Sequence, residues 1–279
     1  MQTPLTAVTH RGLWQARSRW PRDVHDEGVT DQRPALAWTT GDPADTYERG
    51  RSGYPLEAVR WGLAGASRAV HRVLDVGAGT GKLTRTLVDL GLDVVAVDPS
   101  ALMLDGLAAA LPEVERRVGT AEELPLEDAS VDAVTCGQAW HWVDAAQGAA
   151  EVARVLRPGG VLALMWNLRD ECEPWVAALS EVWDVQKSAG QGVHEQPPEL
   201  GPLLTAPERH EVRHRQSISP ADLRDMSLSR SHVLQLHPAE RERVLARVHE
   251  LAETHPDLAG REAADLPYLT VTWRSRRRT

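Results

Sequence analysis

Between Val73 and Thr84 the chain reads Val-Leu-Asp-Val-Gly-Ala-Gly-Thr-Gly-Lys-Leu-Thr. An apolar strand pattern (Val73, Leu74, Val76) runs into a glycine turn and then into a helix expected to start near Thr80. Gly77, Gly79 and Gly81 lack a Cβ, so the backbone can adopt positive φ there and a ligand can lie against it. The helix that follows aims its free N–H groups at the same spot. The next strand, Val94 to Val97, ends in Asp98, 21 residues after Gly77. A carboxylate at that separation suits the two hydroxyls of a ribose.

Spacing separates the nucleotide-binding readings. A P-loop needs glycine where Val76 stands and a hydroxyl where Leu83 stands, so it fails twice. A dinucleotide fingerprint needs a third glycine at the position of Lys82, which disfavours a nicotinamide or flavin site. The formal net charge of −9 opposes binding to a phosphate backbone, so no nucleic-acid partner is expected. Cys136 and Cys172 stand 36 residues apart, a spacing that suggests neither zinc nor a disulfide framework and fits a reducing cytoplasm. No apolar run reaches the roughly 20 residues of a membrane span, and no signal segment opens the chain. Two lysines, no phenylalanine and abundant Arg and Ala read as the coding bias of a GC-rich, bacterial genome.

At 279 residues and 42% hydrophobic, the chain can bury one good-sized core with a small accessory layer. Residues 1–42 carry four arginines before the first acid and no sustained period. They are read as a poorly ordered extension, against a transit peptide or a basic partner-binding arm. Residues 43–279 then form the domain, with accessory helices in 170–265. Strand and helix patterns alternate from His71 to Asn167, which predicts an α/β fold with a doubly wound parallel sheet. The strand Ser130–Thr135 runs into Cys136-Gly-Gln138-Ala-Trp140-His141-Trp142, a loop expected beside the glycine turn. Arg157-Pro-Gly-Gly160 reads as a turn before the strand Val161–Asn167. A helix is expected from Glu173 to Lys187, a strand over His210–Ile218, helices opening at Pro220 and Pro238, and a closing strand from Leu266 to Arg274.

The motif Asp75-Val-Gly77-Ala78-Gly79-Thr-Gly81, with its acid two residues before the first glycine, resembles the signature of class I S-adenosylmethionine-dependent methyltransferases. Tyr47-x-x-x-Arg51-Ser-x-Tyr54-Pro55 resembles the family's entry segment, with Ser52 in place of a proline. Leu156-Arg-Pro-Gly-Gly-Val-Leu-Ala resembles its fifth-strand region. Ser229-Arg-Ser-His and Leu266-Pro-Tyr268 resemble its small-molecule branch, whose bacterial members carry the Ala-Trp-His-Trp loop.

The resemblance implies a Rossmann-like seven-stranded sheet, mostly parallel with an antiparallel C-terminal edge, and methyl transfer from S-adenosylmethionine to a small-molecule acceptor. It implies that Asp75, Gly77, Ala78, Gly79 and Gly81 face the methionine end of the cofactor, with Arg51 as its carboxylate partner and Tyr47 above it. Asp98 and Pro99 would serve the ribose, Met103, Ala121 and Glu122 the adenine, and Gln138 the sulfonium side. Trp140, Trp142, Trp166, Asn167 and Tyr54 are the candidate acceptor contacts, although Tyr54 reads equally as a packing residue and one of Trp140 and Trp142 is expected in the core.

Methyl transfer is an in-line displacement that needs orientation and no covalent nucleophile. For a hydroxyl or acidic-carbon acceptor, His141 is the candidate general base, against a purely structural reading. His210-Glu-x-x-His214 matches a zincin motif, but its neighbours alternate as in a strand, so no metal is expected. No Gly-x-Ser-x-Gly elbow is present, and no Asn-Pro-Pro-Tyr loop points to a nucleic-acid base. A cofactor-binding protein that does not transfer methyl and a nicotinamide oxidoreductase stand as alternatives. Acceptor identity and oligomeric state are open.

Overall fold

The computed structural model describes residues 52–183, 195–228, 230, 233 and 236–278. A first helix, α1 (Leu56–Leu63), precedes β1 (Arg72–Val76), α2 (Lys82–Asp89), β2 (Asp93–Asp98), α3 (Ala101–Ala110) and β3 (Glu115–Val118). The chain then returns to the middle of the sheet with β4 (Val131–Gly137), α4 (Ala145–Val155) and β5 (Leu156–Arg169). The accessory part comprises α5 (Pro174–Trp183), β6 (Glu208–Ile218), α6 (Pro220–Leu228) and α7 (Pro238–Thr254), before β7 (Ala264–Arg276) closes the chain.

The strands form one seven-stranded sheet in the order β3-β2-β1-β4-β5-β7-β6. Strands β1 to β5 pair in parallel, whereas β7 runs antiparallel to both β5 and β6, as expected for the fold class. The strand order reverses between β1 and β4, and the carboxyl ends there form the crevice that open α/β sheets use for ligands.

Side-chain alternation along the central strands separates two cores. Val73, with Leu83 and Leu87 of α2 and Leu107 of α3, packs on one face. Leu74 and Val76, with Val152 of α4, pack on the other. A third cluster joins α5, α6 and α7 to the far ends of β6 and β7, with Trp175, Trp183, Leu223, Val248 and Tyr268 as members.

Three boundaries differ from the expectations. The second helix begins at Lys82 rather than Thr80, because φ of +57° at Gly79 and +96° at Gly81 lies outside the right-handed helical region. Arg157–Gly160 belongs to β5 as a bulge: Leu156 pairs with Val131 and Val161 with Ala133, so four residues oppose Asp132 alone. The extra length lets Arg157 Nη1 reach the Asp132 carboxylate at 2.9 Å. The described part of the helix expected from Glu173 to Lys187 is Pro174–Trp183, and Lys187 lies outside the described residues.

The zincin-like histidines lie on β6, His210 opposite Thr272 and His214 opposite Tyr268. Each is stacked on an aromatic ring, His210 on Trp61 at 4.9 Å and His214 on Tyr268 at 5.4 Å. A strand holds residues four apart at about 13 Å, beyond the reach of one metal ion.

Candidate active site

The glycine turn is held from below by the neighbouring strand. Gly77 and Ala78 donate their N–H groups to the Val97 carbonyl at 2.8 and 3.1 Å. Gly77 adopts φ +66°, and a Cβ added to it would stand 2.6 Å from Cβ of Ala139. Both conformation and space therefore demand glycine. Gly79 donates its N–H to Asp98 Oδ2 at 2.9 Å, and Ser100 donates its N–H to Asp98 Oδ1 at 2.8 Å. Asp98 thus ties the turn to the start of α3 while each oxygen keeps acceptor capacity. Burial pushes its carboxyl upward against those two bonds.

Asp75 sits beneath the same turn, only 1% exposed. Thr84 Oγ1 of α2 donates to its Oδ2 at 2.7 Å, and Thr135 Oγ1 of β4 to its Oδ1 at 2.9 Å. Desolvation dominates those bonds, and its carboxyl is pushed up to about 6. One carboxylate therefore joins β1, α2 and β4 at the mouth of the crevice.

A cleft enclosing roughly 670 Å³, including the part open to solvent, starts at Asp75, Gly77 and Ala78. Tyr54 lines it, and a Cβ on Gly137 would lie 2.4 Å from the Tyr54 hydroxyl. Gln138 lines it with φ +59°, a conformation that costs energy away from glycine. A chain of bonds holds it there: Gln138 Nε2 donates to the Asn167 carbonyl at 2.8 Å, and Thr270 Oγ1 donates to Asn167 Oδ1 at 2.6 Å. Asn167, also in the lining, donates its Nδ2 to the Gly53 carbonyl at 2.9 Å.

The remaining candidates are spread more widely. Tyr47 and Arg51 lie outside the described residues. Met103 and Ala121 are buried, Pro99 is exposed, and Glu122 Oε1 accepts the N–H of Asp144 at 2.9 Å, where α4 begins. Trp140 and Trp166 belong to the core on the α4 face of the sheet. Trp142 is 56% exposed, and the half-buried His141 ring stands 4.9 Å from it. None of these last four lines the cleft. The lining instead includes Lys82, Arg169, Met226, Arg230 and Tyr268. Only the Ser229-Arg-Ser-His and Leu266-Pro-Tyr268 stretches had marked two of them, since strand and helix periods do not report what faces a crevice.

A methyltransferase-domain family model matches residues 74–164, the segment from β1 to β5 that carries the glycine turn. An uncharacterized methyltransferase of Mycobacterium tuberculosis is 48% identical over 247 residues, covering 88% of this chain and 99% of the relative. This chain is a class I S-adenosylmethionine-dependent methyltransferase. A second uncharacterized methyltransferase, from Schizosaccharomyces pombe, is 35% identical over 84% of this methyltransferase and 94% of its own length. Among solved structures, one from Anaeromyxobacter dehalogenans, proposed to be a type II methyltransferase, superposes with a TM-score of 0.56 at 26% identity, covering 82% and 97% of the two chains. Haemonchus contortus phosphoethanolamine N-methyltransferase 2, in complex with S-adenosyl-L-methionine, shares the fold at 18% identity with a TM-score of 0.51, over 90% of this methyltransferase and 61% of that chain. The methyltransferase uses S-adenosylmethionine as its cofactor. That family assignment displaces the nicotinamide alternative.

Proposed function

We propose that this enzyme methylates a small molecule held in the cleft beside the glycine turn. The cleft itself carries the reading: it begins on Asp75, Gly77 and Ala78, and it is walled by Met226 and Arg230 of the accessory part and by Tyr268 of β7. A concave cleft walled on both sides admits a metabolite more readily than a polymer. In this reading Asp75 and the turn at Gly77, Ala78, Gly79 and Gly81 take the methionine end, with Arg51 and Tyr47. Asp98 and Pro99 take the ribose, and Met103, Ala121 and Glu122 surround the adenine. The Cβ-free backbone at Gly77 and the two ordered carboxylates fit such a ligand.

S-adenosylmethionine supplies a methyl carbon already activated by its sulfonium. The chain's part is to bind, align and exclude water, an orientation effect worth up to about 7 to 11 kcal/mol. Gln138, fixed by Asn167, is proposed on the sulfonium side, with Tyr54 and Asn167 as acceptor contacts. Trp140, Trp142 and Trp166 would act from behind that wall. His141 is the proposed base for a hydroxyl or acidic-carbon acceptor, reached at the rim of the loop. Residues 43–279 are proposed to form the methyltransferase domain. No helix among the described residues is long and apolar enough to cross a membrane, and a bacterial cytoplasm is the setting that cysteine usage and composition favour.

Calorimetric titration with S-adenosylmethionine, S-adenosylhomocysteine and NAD tests the cofactor site, with binding of the first two alone expected. Formation of S-adenosylhomocysteine on addition of an acceptor separates transfer from mere binding. Exchange of His141 for alanine should lower turnover by about 10²- to 10⁴-fold at unchanged cofactor affinity if it is the base.

A further inference from the structure

The cleft wall opposite the glycine turn is cationic, with one arginine from the end of β5 and one from the accessory part. Arg169 ends β5, Arg230 follows α6, and both line the cleft. Both guanidiniums lie against the ring of Trp183, at 4.7 and 4.0 Å from its centroid. That ring is 2% exposed and is anchored by its Nε1, which donates to Ser227 Oγ of α6 at 2.8 Å. Arg169 Nη2 also donates to Ser180 Oγ of α5 at 3.3 Å. Lys82 is a third cation in the lining, and among the described residues Asp75 is its one carboxylate. This local balance runs against the whole chain, whose formal net charge is −9.

Two guanidiniums gathered around one aromatic ring repel each other. The ring's π-electrons offset part of that repulsion, and an anion in the cleft would offset more, since the partly enclosed setting strengthens the attraction. Among the described residues the buried Arg230 Nε has no hydrogen-bond partner, a donor that a ligand could satisfy.

The position of the pair separates it from the glycine turn. Gly137, the last residue of β4, pairs with Met165. Arg169 lies four residues further along β5, about 13 Å beyond the end of β4 at a strand's rise per residue. Since β4 separates β1 from β5, those two strands are also about 10 Å apart laterally.

We infer that the methyl acceptor carries an oxyanion group, a carboxylate or a phosphate, and that the Arg169–Arg230 pair on Trp183 docks it. The inference rests on the proposed seating of the cofactor's methionine end at the glycine turn. A guanidinium fork matches the planar or tetrahedral oxygens of such groups with two parallel hydrogen bonds, so docking would also orient the acceptor.

The test is calorimetric titration of the full chain, saturated with S-adenosylhomocysteine, with benzoate, phenyl phosphate and neutral benzamide as probes. At least one of the two anions should bind about tenfold or more tighter than benzamide, on the scale of a charge-assisted hydrogen bond. The better of the two identifies carboxylate or phosphate. Arg230→Gln and Arg169→Gln should each abolish the preference, Arg230→Lys should restore part of it, and S-adenosylhomocysteine affinity should stay within about threefold throughout. Equal or absent binding of all three probes overturns the inference, as does a preference that survives both glutamine variants. A tenfold loss of S-adenosylhomocysteine affinity in those variants overturns it too, by assigning the arginines to the cofactor's own carboxylate. Failure of the unmodified protein to bind S-adenosylhomocysteine would remove the cofactor seating and this inference with it, an outcome recognisable before any anion is added.

Discussion

Asp75 carries an electrostatic cost that grows with pH. In the unfolded chain its carboxyl titrates at an ordinary value near 3.8, whereas in the folded protein it is pushed up to about 6 by desolvation. Between those values the native state holds a proton that the unfolded state has released. Stability is therefore fully present below about pH 4 and declines as pH rises through about 6, by up to about 3 kcal/mol. Asp75→Asn should flatten that decline, read as the difference in chemical-denaturation midpoint between pH 4.5 and pH 7.5; an unaltered pH profile would sink the assignment. Asp98 is expected to act on the ligand instead. Asp98→Ala should weaken S-adenosylmethionine binding by about tenfold or more in calorimetry, and unchanged affinity would remove the ribose role. Since Asp98 also ties Gly79 to Ser100, Asp98→Asn is the companion that keeps an acceptor in place. The sequence motif pointed to both acids. It could not show that Asp75 is gripped by Thr84 and Thr135, because those partners come from a separate helix and a separate strand.

At the scale of elements, the glycine turn and the β5 bulge show two kinds of constraint. Gly77→Ala would force a Cβ into left-handed backbone 2.6 Å from Ala139, at a cost of about 2 kcal/mol or more. A lowered thermal midpoint together with weaker cofactor binding should follow, and retention of both would contradict the close approach. In the bulge, the Asp132 carboxylate accepts the N–H groups of His71 and Arg72, both at 3.0 Å, besides Arg157. Burial pushes its carboxyl up, but the Arg72 N–H, the Arg157 side chain and the His71 N–H outweigh this and hold it below its usual range. Asp132→Ala would strand those donors at a cost of about 3 kcal/mol, measurable by urea unfolding. The strands β1, β2 and β4 were legible as short apolar runs, and β6 as an alternation that overrode the zincin motif. The bulge was not legible, since Arg-Pro-Gly-Gly reads locally as a turn and only pairing with β4 extends the strand through it.

For the molecule as a whole, the accessory part brings Met226 and Arg230 into the cleft lining. A chain limited to residues 43–279 should bind S-adenosylmethionine within about twofold of the full chain, because it keeps every candidate contact; a larger loss would place residues 1–42 in the domain. The sequence by itself determined the α/β class, the order of strands and helices, the glycine turn and the two carboxylates at strand ends. These follow from periodicity and from residues a few positions apart, which local sterics and burial control. Only the tertiary structure decided that Trp140 and Trp166 enter the core instead of the cleft, and that Arg169, Arg230 and Tyr268 line it. Those assignments depend on which faces meet across the sheet when β5, β7 and α6 pack together, and contacts between residues sixty or more positions apart leave no period in the chain.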